Sequence, residues 1–218
     1  MGSMLRTWLE VILQQTHLVL PKISCTRESL VFMYGEDAVQ EDEETWRIPC
    51  RHRVFPGASE EALAQAEQAM GFPLPEALKE LLQITNGLEL YVSPAAGYYS
   101  PTFHIEYRIF STTELVTINQ NLLKDFRAML GDDPDFRDVH ALNYVAFCDA
   151  HDGNYLAILL EGPERSKVFF LDHEYLFRPY SEQDADLYYT VAPSLDAWLE
   201  LVAKTEGWGG FGEPTPMI

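Results

Sequence analysis

Residues 59–87 carry the clearest pattern of apolar and polar positions in the chain. Ser59 is a favourable N-cap, and the apolar residues after it recur at the spacing of one helix face: Leu63, Ala66 and Met70. Gly71 suits the end of this helix, and two prolines, Pro73 and Pro75, then prevent its continuation. A second apolar face follows at Leu78, Leu81 and Leu82, before the turn residues Asn86 and Gly87. The pattern therefore predicts two short helices separated by a sharp break.

The same periodicities predict further elements on both sides of this helix pair. Further helices are expected over residues 4–15, from a Ser-x-x-Glu capping box at Ser111 and Glu114, and from Ser194. Strands are expected over six stretches that are apolar throughout or alternate with polar residues: 29–34, 88–92, 102–110, 144–148, 155–160 and 167–171. An acidic run separates the first predicted strand from the basic residues Arg47, Arg51, His52 and Arg53, and we expect the two to pair across a hairpin.

The order of residues in the helix pair resembles the start of the SUKH superfamily, the Smi/Knr-like proteins. Members open with a Glu-rich first helix, a Gly-Phe-x-Leu-Pro break, a second helix and an Asn-Gly turn, which correspond here to Glu60, Glu61, Glu67, Gly71, Phe72, Leu74, Pro75, Asn86 and Gly87. Three later pieces also resemble the family: the strand leading into the helix at Ser111, the turn at 149–154, and the Asp-His-Glu sequence at 172–174. The resemblance implies an α+β fold, with a mixed, mainly antiparallel sheet flanked by helices.

This resemblance also divides the chain into three parts. Residues 59–207 form the expected Smi/Knr-like domain, and residues 1–58 form an N-terminal extension of a helix and a strand packed on the core. Residues 208–218 are rich in glycine and proline, which predicts a flexible tail.

Charge is concentrated in the part that resembles the family. Residues 1–58 carry 6 basic and 8 acidic side chains, whereas residues 59–218 carry 9 basic and 26 acidic ones, within a net charge of −19 for the chain. Direct binding of nucleic acid or of an anionic membrane surface is disfavoured, because phosphate recognition needs clustered cations. A basic protein partner suits this charge better.

Cysteine content and hydropathy bear on the compartment. The three widely spaced cysteines, Cys25, Cys50 and Cys148, form neither a disulfide framework nor a zinc pattern, which favours a reducing compartment. No apolar run approaches the ~18 residues of a membrane span, and no signal peptide is recognisable. We therefore expect a cytoplasmic protein.

Candidate catalytic or metal-binding residues are few. Asp149, His151 and His173 lie at predicted strand ends, and together with Asp152, Asp172 and Glu174 they form two acid-histidine clusters. Side chains consecutive along a strand alternate in direction, so one ion would require the two clusters to meet. The resemblance implies that the second cluster is structural. Phosphate loops, dinucleotide fingerprints and nucleophile elbows are absent from the sequence, and we expect no cofactor, no metal and no enzymatic activity.

The family resemblance implies a protein-binding function. Bacterial members commonly act as immunity proteins that bind and neutralise a cognate toxin, often a nuclease, of a polymorphic or contact-dependent system. The alternative is a regulatory scaffold like the fungal cell-wall synthesis regulators, and a third hypothesis is an enzyme using Asp149, His151 and His173. For partner contact we predict exposed tyrosines on the loop after the first sheet strand and acids after the long helix, namely Tyr98, Tyr99, Asp132, Asp133 and Asp135.

Overall fold

The computed structural model describes residues 4–22, 26–93, 104–130, 142–150, 153–172 and 189–211. A seven-stranded sheet forms the centre of the described structure, with strands in the order β10-β9-β8-β7-β6-β5-β4. Its strands are β4 (Arg51–Val54), β5 (Leu88–Ser93), β6 (His104–Ile109), β7 (Tyr144–Asp149), β8 (Tyr155–Leu159), β9 (Val168–Leu171) and β10 (Tyr189–Ala192). Every pairing recorded between described strands is antiparallel.

Six α-helices are present in the described residues: α1 (Met4–Leu13), α2 (Arg27–Tyr34), α3 (Glu60–Met70), α4 (Glu76–Ile84), α5 (Thr112–Leu130) and α6 (Leu195–Lys204). Helix α1 packs against α4 and α6, whereas α5 packs against α3 and strand β7. The central strands β7 and β8 are almost entirely buried, which matches their continuous apolar runs. The α+β class predicted from the sequence is confirmed.

Residues before the helix pair add structure on two sides of this sheet. A separate three-stranded sheet forms in the order β1-β3-β2, from β1 (His17–Pro21), β2 (Gln40–Glu41) and β3 (Thr45–Pro49). Strand β4 instead joins the large sheet by pairing with β5. Apolar side chains of α1 and β1, such as Leu5, Leu9 and Leu18, belong to the same buried cluster as the sheet residues.

The prediction of a strand at 29–34 is wrong, because these residues form helix α2. Its N-cap is Thr26, whose side chain accepts a hydrogen bond from the Ser29 amide, and Glu28 places a negative charge in the first turn. These local signals outweigh the strand preference of the aromatic and β-branched residues between Leu30 and Tyr34.

The expected pairing between the acidic run and the basic residues is found only in the backbone. Gln40 and Glu41 do pair with β3 across a hairpin. The ion pairs recorded for the run, however, join Glu41 to Lys22 and Glu36 to Arg27. Arg47 and Arg53 contact acids outside the run, Glu206 and Glu89.

A buried polar network joins the N-terminal segment to the sheet and to α6. Tyr91 in β5 lies at a β-bulge opposite β4 and has a φ of 52°, in the left-handed region. Its amide donates to His52 Nδ1, and its hydroxyl donates to Gln15 Oε1. Gln15 in turn donates to the Ala203 carbonyl over 2.6 Å. The strained backbone at Tyr91 is therefore held by residues that precede the helix pair.

The predicted tail is described only in part. Trp208–Phe211 forms a 3-10 turn after α6, and the partly buried Trp208 packs against the core. Just before it, Gly207 has a φ of 96° and sits where an added Cβ would lie 2.6 Å from Leu18 Cδ1. Residues 212–218 lie outside the described residues.

Candidate functional site

The residues predicted to contact a partner cannot be placed. Tyr98, Tyr99, Asp132, Asp133 and Asp135 all lie outside the described residues. The same holds for four members of the two acid-histidine clusters, His151, Asp152, His173 and Glu174. Asp149 and Asp172 are described, each at or just after the end of a sheet strand.

The break between α3 and α4 is held by side chains as well as by its glycine and prolines. Ser59 caps α3 by accepting from the Ala62 amide, and Gly71 ends it at φ 85° in the left-handed region. Glu67 Oε1 accepts from the Leu74 amide over 2.9 Å. Lys79 reaches back from α4 to contact Glu67 at 3.5 Å and Glu76 at 2.6 Å. The break is thus a fixed corner of the fold.

A cleft of about 500 Å³ opens beside this corner, and we call it the helix-break cleft. Three segments line it: the helix break, the end of β8 with the β8–β9 turn, and the start of α6. The lining residues are Phe72, Pro73, Pro75, Glu76, Ala77, Ile158, Leu159, Leu160, Glu161, Arg165, Ser166, Ser194, Leu195 and Asp196. Its volume falls within the range of ~300–1,000 Å³ typical of ligand pockets.

The cleft combines an apolar floor with a charged rim. Its apolar lining includes Phe72, Ile158 and Leu195, which are almost fully buried. Its charged lining residues are Glu76, Glu161, Asp196 and one cation, Arg165. Acids outnumber cations in this lining, as they do in the whole chain, and one of the acids, Glu76, is paired with Lys79.

Asp196 is the carboxylate whose environment is most perturbed on this rim. It lies in the first turn of α6, which Ser194 caps by accepting from the Ala197 amide. Burial raises the pKa of Asp196, and the nearby negative charge of Glu80 raises it further. Among the described residues, no ion pair is recorded for either Asp196 or Glu80.

A second cluster of ionisable groups surrounds Asp149 at the end of β7. Arg108 contacts Asp149 at 3.2 Å and Glu114 at 3.9 Å. Burial, and then the charge of Asp149, raises the pKa values of the Cys148 thiol and the Tyr155 hydroxyl. A raised thiol pKa disfavours the thiolate that nucleophilic catalysis requires. Arg108 and Glu114 link the strand end to the capping box of α5, which Ser111 completes.

Within the residues that the structure describes, no three His, Cys, Asp or Glu side chains come together as a group that could hold a metal ion. In the same residues, no helix has the length and apolar character needed to cross a bilayer.

Sequence reasoning identified one wall of the helix-break cleft and missed the other two. The residues of the break stood out as a fold signature. The residues before Arg165 and Asp196 are ordinary turn and cap residues and do not indicate a site. The two side chains line the same cleft only because β8 and α6 pack beside the break. The Ser194 cap, predicted from the sequence, was the available signal, since it fixes where α6 begins and hence where Asp196 lies.

Comparison with known proteins addresses the family of the chain. No match to the chain was found among curated proteins. A family model, described as the SMI1/KNR4 family (SUKH-1), matches residues 57–201, which include the helix break, the sheet from β5 to β10 and most of α6. The match covers well over half of the chain and contains the four pieces in which the resemblance was found, and the chain therefore belongs to the SMI1/KNR4 family (SUKH-1).

Proposed function

We propose that this protein is a non-enzymatic, immunity-type binding protein that neutralises a basic toxin domain, of the nuclease type, in a bacterial toxin system. Membership of the SMI1/KNR4 family supports a protein-interaction domain of the immunity or regulator kind. The observation that carries the choice between these is the helix-break cleft, whose acidic rim lies on the most acidic part of the chain.

The charge of the chain supports a basic partner. An acidic surface accelerates encounter with a cationic protein and repels nucleic acid. A nuclease must present cations to the phosphates of its substrate, so an acidic protein that covers them blocks the enzyme without any chemistry of its own.

The described ionisable groups favour binding over catalysis. Arg108, Asp149 and Glu114 neutralise one another at a strand end, in an arrangement that also serves to cap α5. The thiol of Cys148 is buried and holds its proton. A role for Asp149, His151 and His173 in catalysis would require the two histidines to face Asp149, and it is tested by replacing both with alanine.

A cytoplasmic location belongs to the same proposal. The two cysteines that the structure describes, Cys50 and Cys148, are not joined in a disulfide, which suits a reducing compartment. A toxin that acts on nucleic acid is also met in that compartment.

The proposal is tested by affinity capture from the native host at about 50 mM and about 500 mM salt, which differ strongly in electrostatic screening. We expect a basic toxin domain that is retained at low salt and weakened at high salt. The captured domain should halt growth when expressed alone, and co-expression of this chain should restore growth. Capture of cell-wall or signalling enzymes without any such toxicity would replace the proposal with the regulatory scaffold.

A further inference from the structure

The lining of the helix-break cleft suits a bound side chain that is apolar along its length and cationic at its end. The apolar lining includes the more open Pro73 and Pro75 beside the nearly buried Phe72, Ile158 and Leu195. The rim offers carboxylates, and one of these, Asp196, lies in the first turn of α6. Lysine and arginine are the side chains that place an aliphatic stem on apolar surface and keep a charged head at its edge.

Two features of the rim determine how such a side chain is oriented in the cleft. Asp196 lines the α6 wall of the cleft and has no ion pair recorded among the described residues, so a positive head placed beside it is stabilised. Arg165 stands on the wall formed by the β8–β9 turn and has no ion pair recorded within the described chain. A cationic head is therefore attracted to the α6 side and repelled from the turn.

We infer that the helix-break cleft receives one lysine or arginine side chain of the protein partner, with the stem on the apolar lining of the cleft and the head at Asp196. The inference rests on the proposed function in that it names the chemistry of the partner's contact. It adds that Arg165 weakens this contact, because it is a like charge in the same cleft.

Small probes test the cleft without knowledge of the partner. The probes are N-acetyl-arginine N-methylamide, the corresponding lysine compound, and the norleucine compound, which has the stem but no charge. We expect the two cationic probes to shift the amide resonances of Ala77, Ser166 and Asp196 in 15N-labelled protein with affinities on the order of millimolar. The norleucine probe should bind several-fold more weakly.

Charge variants test whether a cationic probe is attracted by Asp196 and repelled by Arg165. Asp196→Asn should weaken the cationic probes several-fold, whereas Arg165→Gln should strengthen them by a similar factor. Asp37→Asn is the matched control, because it removes the same charge from an exposed 3-10 turn in the N-terminal segment, and it should leave affinity unchanged. Equal unfolding midpoints in urea establish that the variants are folded.

The inference is overturned if the cationic probes cause no shifts at the cleft, or if Asp37→Asn weakens them as much as Asp196→Asn does. The toxin itself separates this inference from the proposed function. If no toxin is captured, the proposed function fails whatever the probes do. If a captured toxin binds the wild-type chain, Asp196→Asn and Arg165→Gln with equal affinity, the proposed function stands and the inference alone is wrong.

Discussion

Replacing Asn119 by leucine should destabilise the protein far more than its position within a helix suggests. Asn119 is fully buried on α5. Its Nδ2 donates to the carbonyls of Leu115 and Ala146 over 2.8 Å each, and its Oδ1 accepts from the Ala146 amide over 2.9 Å. Ala146 pairs with Ala157 of β8, and beyond the last recorded pair of β6 with β7 the Asn119 side chain bonds both its amide and its carbonyl.

The magnitude follows from the groups that Asn119→Leu leaves unsatisfied. The amide and the carbonyl of Ala146 would both lose a buried hydrogen bond, and a buried group left unsatisfied costs about 1–3 kcal/mol. The Leu115 carbonyl loses an additional bond, but as a helix carbonyl it also accepts from within α5. Leucine has a similar volume, and its buried apolar side chain offsets part of the loss in the free energy of unfolding. We expect a net loss of about 3–4 kcal/mol, a large share of a typical stability of ~5–15 kcal/mol.

The assay is equilibrium unfolding in urea, followed by the fluorescence of tryptophans that include the buried Trp198. Asn121→Leu is the matched control, because it makes the same change at an exposed position two residues further along α5. It should alter the free energy of unfolding by no more than about 0.5 kcal/mol. A loss below about 1 kcal/mol for Asn119→Leu, with an unchanged denaturant slope, would refute the reasoning.

Three further predictions concern burial and close approach. Burial lowers the pKa of His52, so below the unfolded-state value of ~6.5 the unfolded chain binds a proton that the folded chain resists, and stability should fall between about pH 7 and pH 5. His52→Gln should flatten that slope, because it removes the titrating ring. Gly57→Ala places a Cβ 1.9 Å from the Gln83 carbonyl oxygen, and calorimetry should show destabilisation of about 1–3 kcal/mol, with an unchanged melting temperature counting against the close approach. In a Cys25→Ser background, a thiol reagent should label Cys50 in the native protein and Cys148 only in urea. The reason is that the Cys148 thiol is fully buried and its pKa is raised. Rapid labelling of both cysteines in the native protein would contradict this prediction.

The elements that could be predicted from the sequence are those whose signals are local. Ser59, Gly71 and Pro75 each act within one turn of their own position, and α3 and α4 begin and end close to where these residues predict. The apolar runs of β7 and β8 are equally direct, because a strand covered on both faces has no polar side to display.

The elements that were missed or wrong depend on long-range contacts or on weak caps. Strand β4 is short and polar, and nothing in Arg51, His52 and Arg53 reveals that β5 pairs with them. Helix α2 has a strand-like composition, but its N-cap at Thr26 favours a helix, and a helix forms. Asn119 was passed over because a single polar residue on a helix is ordinarily exposed, and its burial depends on where β6 ends.

The candidate site shows the same division. The helix break could be recognised from one stretch of sequence, but the cleft beside it requires three segments separated by many residues. The pattern of a single segment does not reveal that the charge of Glu80 raises the pKa of Asp196, because the two residues lie on different helices, α4 and α6. Charge composition favours a basic partner, which stays a prediction, whereas the cleft depends on packing between segments far apart in the chain.

The pairing of β4 with β5 bears on how this protein should be expressed and dissected. The family match begins at residue 57, after β4 has ended. A chain cut at that point would lack His52 and Gln15, the two side chains that hold Tyr91 in its left-handed conformation. It would also present β5 as an uncovered sheet edge, which invites pairing with other chains and precipitation. The smallest fragment suited to crystallisation or binding studies therefore begins at α1, about fifty residues before the family signature starts.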